Sequence, residues 1–283
     1  MKRLYILVLI LSTACYQSED LSVHVNDSGS APQTALDIYI QEHFTDRYGM
    51  AIRYRFVDRF VKPGERVAPP KLSVVRPMLD FIDEFWIAPF LEVTNGKVFF
   101  ENHVPAEIVF LGGLIYNNDG TVTLGTADAG AQITFTNVNA IDLNDLEWRD
   151  QQLHTVYHEF AHIVHQRYKL PAAFETIAAS GYTSAGSWFN LTDTQAIERG
   201  FVSPYATSSP NEDFAETVAF YLFYTDFFED FINQESDCQS ANCENLNAGK
   251  ALIQKKLSAI SEHYKKVTGI DLDDLRAAVQ AKL

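Results

Sequence analysis

Apolar residues first gather in an unbroken run at 4–11, and after a polar stretch they settle into two alternating periods. Leu36, Ile38 and Tyr39 mark a short helix near residue 35. Residues 50–57 alternate apolar with polar side chains, the two-residue period of a half-buried strand. Val75, Met78, Leu79, Ile82, Phe85 and Trp86 recur at helical spacing and predict a helix over 73–91 with one face on a core. Pro77 falls near its start, where a missing N–H is tolerated. Strands are expected at 107–112, 113–116 and 121–125, with Asn117-Asn118-Asp119-Gly120 as a turn. Residues 132–138 alternate again and lead into a helix over 148–168, stopped before Pro171. Residues 171–209 read as a long irregular stretch rich in Gly, Ser, Thr and aromatics, and such loops are commonly functional. Helices follow at 210–232, 248–267 and 272–282. Mixed elements first and helices afterwards give an α+β class.

The amino terminus has its own logic. Lys2 and Arg3, the apolar run and Ser12-Thr13-Ala14 form an export signal over 1–14, too short to span a bilayer, which needs about 20 residues. Cys15 follows the small residues directly, an arrangement that resembles the lipobox of bacterial lipoproteins and implies a lipid anchor at Cys15. Residues 15–34 then form the lipidated Cys and a flexible tether. A domain over 35–283 follows, with a mixed part at 35–145 and a metal-site and helical part at 146–283. Cys238 and Cys243, an even pair in an exported chain, are expected to form a disulfide that pins a local turn. Loss of Lys2 and Arg3 with the leader takes the net charge from −15 to −17, which excludes nucleic acid as a partner.

The chemistry is concentrated at His158-Glu159-Phe160-Ala161-His162. Histidines four apart sit about 40° from each other on a helix, so both imidazoles face one spot, the bite that a tetrahedral Zn²⁺ takes from two nitrogens. Glu159 lies about 100° round from His158, beside such a metal, where a carboxylate can act as general base. A catalytic zinc has three protein ligands and an open position, so a third is needed. His154 and His165 share the histidine stripe, but one straight helix does not easily bring three ligands to one ion. They read as cleft or supporting residues, or as packing. Glu212 and Glu216 in Asn211-Glu212-Asp213-Phe214-Ala215-Glu216 lie one turn apart on a second helix, with small Ala215 and Ala219 alongside to allow close approach. Ser209 and Glu212 also fit a capping box, but capping leaves Glu216 unexplained.

His-Glu-Phe-Ala-His followed by Glu-Asp-Phe-Ala-Glu resembles the gluzincin metallopeptidases, whose third ligand is a helical Glu. Within them the chain is similar to the zinc-binding metallopeptidase lipoproteins associated with outer-membrane substrate import. The resemblance implies a zincin-like fold, with a small mixed sheet packed on the HExxH helix and a mostly helical C-terminal part. It implies one Zn²⁺ per chain, held by His158, His162 and Glu212, with Glu216 supporting a ligand imidazole; His165 keeps its reading from the histidine stripe, as a cleft or supporting residue or as packing. Related enzymes place a Tyr seven residues before the ligand Glu, which here is Tyr205, to stabilise the oxyanion. The strand at 132–138 is, by the same analogy, an edge on which an extended peptide pairs.

The expected function is therefore zinc-dependent hydrolysis of peptide bonds in a peptide or protein substrate. Membrane attachment would be through the lipid anchor, at the bacterial outer membrane and facing the cell surface, beside an import system. Two alternatives stand next to it. The same centre could cleave a non-peptide amide, or the chain could be a non-catalytic nutrient-binding lipoprotein with structural zinc. Tyr182, Trp188 and Phe189 in the irregular stretch suit a specificity cleft, a sugar platform or plain packing.

Overall fold

The computed structural model describes residues 33–56, 61, 66–116, 122–123, 125–128, 132–184 and 186–283. The expected leader, Cys15, the tether up to residue 32 and the turn at 117–120 lie outside the described residues. Thr34 opens α1 (Ala35–Ile40): its hydroxyl accepts from the Asp37 N–H while the Asp37 carboxylate accepts from the Thr34 N–H. The helix widens into a π turn at Gln41–Thr45 and continues as α2 (Asp46–Tyr48). Gly49, at φ 70°, ends it in the left-handed region that glycine enters without a Cβ clash.

β1 (Ala51–Arg53) is shorter than the alternation over 50–57 predicts, because its pairing ends at Arg53. The stripe over 73–91 is one helical run, α3 (Leu72–Ile82), a π turn at Asp83–Ile87 and α4 (Ala88–Glu92). Pro77 sits in its second turn, inside the helix and not at the start. α5 (Gly96–His103), which the periodicity does not flag, follows; its first residue lies so close to the Phe90 carbonyl that no Cβ would fit.

β2 (Glu107–Phe110), β3 (Ile115–Tyr116), β4 (Val122–Thr123), β5 (Gly125–Asp128) and β6 (Gln132–Phe135) complete the strands. The sheet order is β1-β2-β6-β5, with β1, β2 and β6 parallel and β5 antiparallel to β6, while β3 and β4 pair separately. β6 is thus an inner strand, and the open edge expected along 132–138 is absent: β5 covers it, a strand whose Gly-Thr-Ala-Asp sequence carries little apolar signal. The alternation also stops at Phe135, where Asn137 at φ 57° turns the chain into a 3-10 turn at Val138–Ala140.

α6 (Leu146–Tyr168) starts at Asp145, whose carboxylate accepts from the N–H groups of Glu147 and Trp148. It packs on β5 and β6. One flank drives Phe160 between Trp86, Phe90 and Phe100, with ring centroids 5.4, 5.1 and 5.8 Å away. Burying one such ring contributes about 2–3 kcal/mol. The Tyr157 hydroxyl ties the same flank to the π turn by donating to the Phe85 carbonyl at 2.6 Å. The apolar flank fixes the rotation of α6 and so turns its histidines the other way.

The stretch over 171–209 is mostly irregular but contains α7 (Phe174–Ile177) and α8 (Asp193–Glu198), with short 3-10 turns at Trp188–Asn190 and Tyr205–Ser208. α9 (Pro210–Phe223), capped by the Ser209 hydroxyl, lies along α6 with Ala215 and Ala219 fully buried. The single helix expected over 210–232 is broken, and α10 (Phe227–Phe231) follows separately. The break is made from outside. Arg276 donates to the carbonyls of Tyr221, Tyr224 and Thr225, and Gln280 to those of Leu222 and Phe223, so the last carbonyls of α9 need no further turn. Those two side chains come from α12 (Leu272–Gln280). Before it, α11 (Ala241–Thr268) begins at residue 241 and not at 248, capped by Ser240, with Cys238 and Cys243 joined as a disulfide at its start. Among the described residues no helix is long and apolar enough to cross a membrane.

Candidate metal centre

Three side-chain atoms from two helices meet at the junction of α6 and α9. His162 Nε2 lies 3.0 Å from His158 Nε2 and 3.2 Å from Glu212 Oε2, and His158 Nε2 is also 3.2 Å from Glu212 Oε2. The triangle is close to the edge of about 3.3 Å for ligands ~2.0 Å from a tetrahedral zinc. Two imidazole nitrogens and a carboxylate oxygen facing one another at this distance need positive charge among them, from shared protons or a metal ion, so the donor set fits a metal ion. A zinc held here would use His158, His162 and Glu212.

The outer faces of both imidazoles are supported. His162 Nδ1 is 2.7 Å from His165 Nε2. Burial first, and then the His162 charge, push His165 down to about 4, so it stays neutral and can accept the His162 Nδ1–H. His158 Nδ1 lies 2.7 Å from Glu216 Oε1, a charged contact out of line for a straight N–H bond. Glu216 also takes His154 Nε2 at 2.6 Å and accepts from the Ser203 hydroxyl at 2.5 Å. Burial opposes ionisation of Glu216, but the His154 and His158 rings outweigh it and hold its carboxyl well below the usual range. Glu212 behaves alike: burial raises it, and hydrogen bonds from His158 and His162 bring it down further than burial lifts it.

Glu159 is buried on the same helix, and burial raises its carboxyl while His158 and His162 pull it down. Tyr205 comes from the 3-10 turn before α9, its ring 5.9 Å from that of His158 and its hydroxyl within the field of the Glu212 carboxylate. Burial, then the Glu212 charge, raise the phenol well above its ordinary value, which keeps it a donor. Trp188 packs edge-on to Tyr205 at 5.1 Å, and Phe189 beside it is 58% exposed, so two loop aromatics lie next to the Tyr205 turn. Tyr182 does not join them; its hydroxyl donates to buried Asp213 at 2.8 Å.

The family model "Putative zinc-binding metallo-peptidase" matches residues 29–273. The chain belongs to this family. It is also similar to the crystal structure of a putative zinc-binding metallo-peptidase from Bacteroides caccae ATCC 43185, with a TM-score of 0.66 and 27% identity over 86% of this chain and 89% of that one. No curated protein matches the chain.

Among the described residues two other groups have metal-ligand chemistry. His154, His158 and Glu216 converge behind the first triangle, but they share His158 with it and are already joined to one another. Glu235 lies by Cys238 and Cys243, whose sulfurs are consumed in the disulfide. Ser203 is the functional neighbour that sequence reading missed. Its hydroxyl accepts from the Ala206 N–H at 3.1 Å while donating to Glu216, so it stitches the Tyr205 turn to the histidine network. The visible signal is Ser203-Pro204 directly before Tyr205, a hydroxyl placed to hold a turn.

Proposed function

We propose that this chain is a zinc-dependent metallopeptidase, in which His158, His162 and Glu212 hold one zinc ion. The observation that carries the reading is the convergence of His158 Nε2, His162 Nε2 and Glu212 Oε2 within 3.0–3.2 Å from two helices. Zinc, when bound, supplies a Lewis acid that acidifies a water and polarises a carbonyl. Glu159 takes the proton of the attacking water and returns it to the leaving amine; its raised affinity for protons, caused first by burial, suits both steps. Tyr205, kept protonated, donates to the oxyanion that develops on the substrate. His165 and Glu216 orient the two imidazoles through their Nδ1 sides.

β5, and not β6, is the strand proposed to pair with an extended peptide. It is the outer strand next to β6 and packs on α6. Trp188, packed on Tyr205, and its exposed neighbour Phe189 favour a substrate with bulky apolar side chains. Export through the leader at 1–14 and anchoring at Cys15 belong to the same proposal. They place the enzyme on the bacterial outer membrane, facing the cell surface beside an import system, and their support is the sequence alone.

Digestion of a proteome-derived peptide library, with and without chelator, tests the activity. Cleavage that stops on chelation and returns with zinc is expected. No cleavage on any peptide, with acylated sugars turned over instead, would assign a non-peptide amide.

A further inference from the structure

Directly after Glu212 stands Asp213, whose carboxylate meets the Lys256 ammonium at 2.7 Å with both side chains 0% exposed. Lys256 projects from α11, far along the chain, and its Nζ also donates to the Gly200 carbonyl at 2.7 Å. The ammonium lies 3.5 Å over the buried Phe201 ring. Gly200 is held at φ 89°, and a Cβ there would meet Leu252 of α11 at 2.6 Å, so the backbone is pressed onto this helix. One cation therefore grips residues 200–201 and residue 213. The segment between them carries Tyr205, Ser203 and Glu212.

We propose that Lys256 is a positioning residue whose buried ammonium, paired with Asp213, clamps both ends of segment 200–213 and so sets Tyr205 and Glu212 against the histidines of α6. The inference rests on the metallopeptidase reading for its consequence, not for its geometry. A packed apolar pair of the same volume holds a core together without stripping two ions of water. What it cannot do is bind a backbone carbonyl at one end of a loop and a side chain at the other. Asp213 is fixed on its far side by the Tyr182 hydroxyl, so the ammonium has a rigid partner to pull against.

The test compares wild type with the apolar double variant Asp213→Leu/Lys256→Met, which removes the clamp without leaving a buried lone charge. Its Tm is expected within about 5 °C of wild type. Hydrogen exchange on residues 200–213 of the metal-free protein should quicken at least about tenfold while α6 keeps its protection. Zinc should bind roughly 10–100-fold more weakly, and the visible spectrum of the Co²⁺-loaded protein should change. Unchanged exchange overturns the clamp whatever the zinc result. Faster exchange with wild-type zinc affinity and spectrum overturns its role toward the centre. If the double variant does not fold, the isosteric Asp213→Asn, which keeps the Lys256–Gly200 bond and weakens only the grip on residue 213, tests one end of the clamp, with at least about threefold weaker zinc expected and no change as the contrary result. A wild-type protein that bound no zinc would sink the metallopeptidase reading, and the exchange arm would still decide the clamp.

Discussion

His162 Nε2 lies 3.2 Å from Glu212 Oε2 across 50 residues of chain. The contact exists because small Ala215 and Ala219 let α9 approach α6, and because Ser209 starts α9 at the right place. Glu212 is the carboxylate on the metal side of the histidines, and Glu216 is on their outer side. Glu212→Ala should therefore lose zinc almost completely, and Glu216→Ala should weaken it roughly 10–100-fold. Zinc content by elemental analysis after dialysis checks this. Equal loss in the two variants would remove the distinction.

Glu159 and Tyr205 are assigned to proton transfer and charge stabilisation, not to holding metal. Glu159→Gln should keep zinc and lose turnover by about 10²–10⁴-fold. Tyr205→Phe should keep zinc and lower kcat by about 10²–10³-fold with little change in KM. Steady-state kinetics on a peptide found in the library digest reads both. A Glu159→Gln variant as fast as wild type would show that another group is the base.

The metal-free centre titrates in a definite direction. Burial lowers the His158 affinity for protons, but Glu212 and Glu216 outweigh it and bring the ring up to about 10. A raised histidine adds stability that is complete below its unfolded value of about 6.5 and is lost as pH rises through the folded value. The metal-free protein should thus lose Tm between neutral pH and about pH 10, while the zinc form, whose His158 Nε2 is occupied, should not. Zinc binding at pH 7 must displace that proton, so calorimetry in buffers of different ionisation enthalpy should report release of about one proton. No release would contradict a protonated His158.

The end of α9 depends on two side chains from α12. Arg276→Met leaves the carbonyls of Tyr221, Tyr224 and Thr225 without their donor and should cost about 2–4 kcal/mol in chemical denaturation. Zinc affinity should change little, since the site is at the other end of the helix. A large loss of zinc with full stability would reverse that reading.

These particulars show which parts were readable from the chain. The His158–His162 bite is local helix geometry, so it was legible without any knowledge of the fold. Glu212 and Glu216 were legible as a pair on one face; helical spacing alone does not rank them, and only the family resemblance singled out Glu212 as the ligand. The break after Phe223 was not readable, because Arg276 and Gln280, more than fifty residues downstream, supply its hydrogen bonds. The buried position of β6 depends on β5, a strand with almost no apolar pattern. Ser203 was hidden for a similar reason: its importance comes from Glu216, which only folding brings near.

The most direct test of the central claim is anomalous diffraction at the zinc edge from crystals of the purified protein. The expected result is one strong peak per chain about 2.0 Å from His158 Nε2, His162 Nε2 and a Glu212 oxygen. A peak among His154, His158 Nδ1 and Glu216 instead, or none in zinc-loaded crystals, would contradict it.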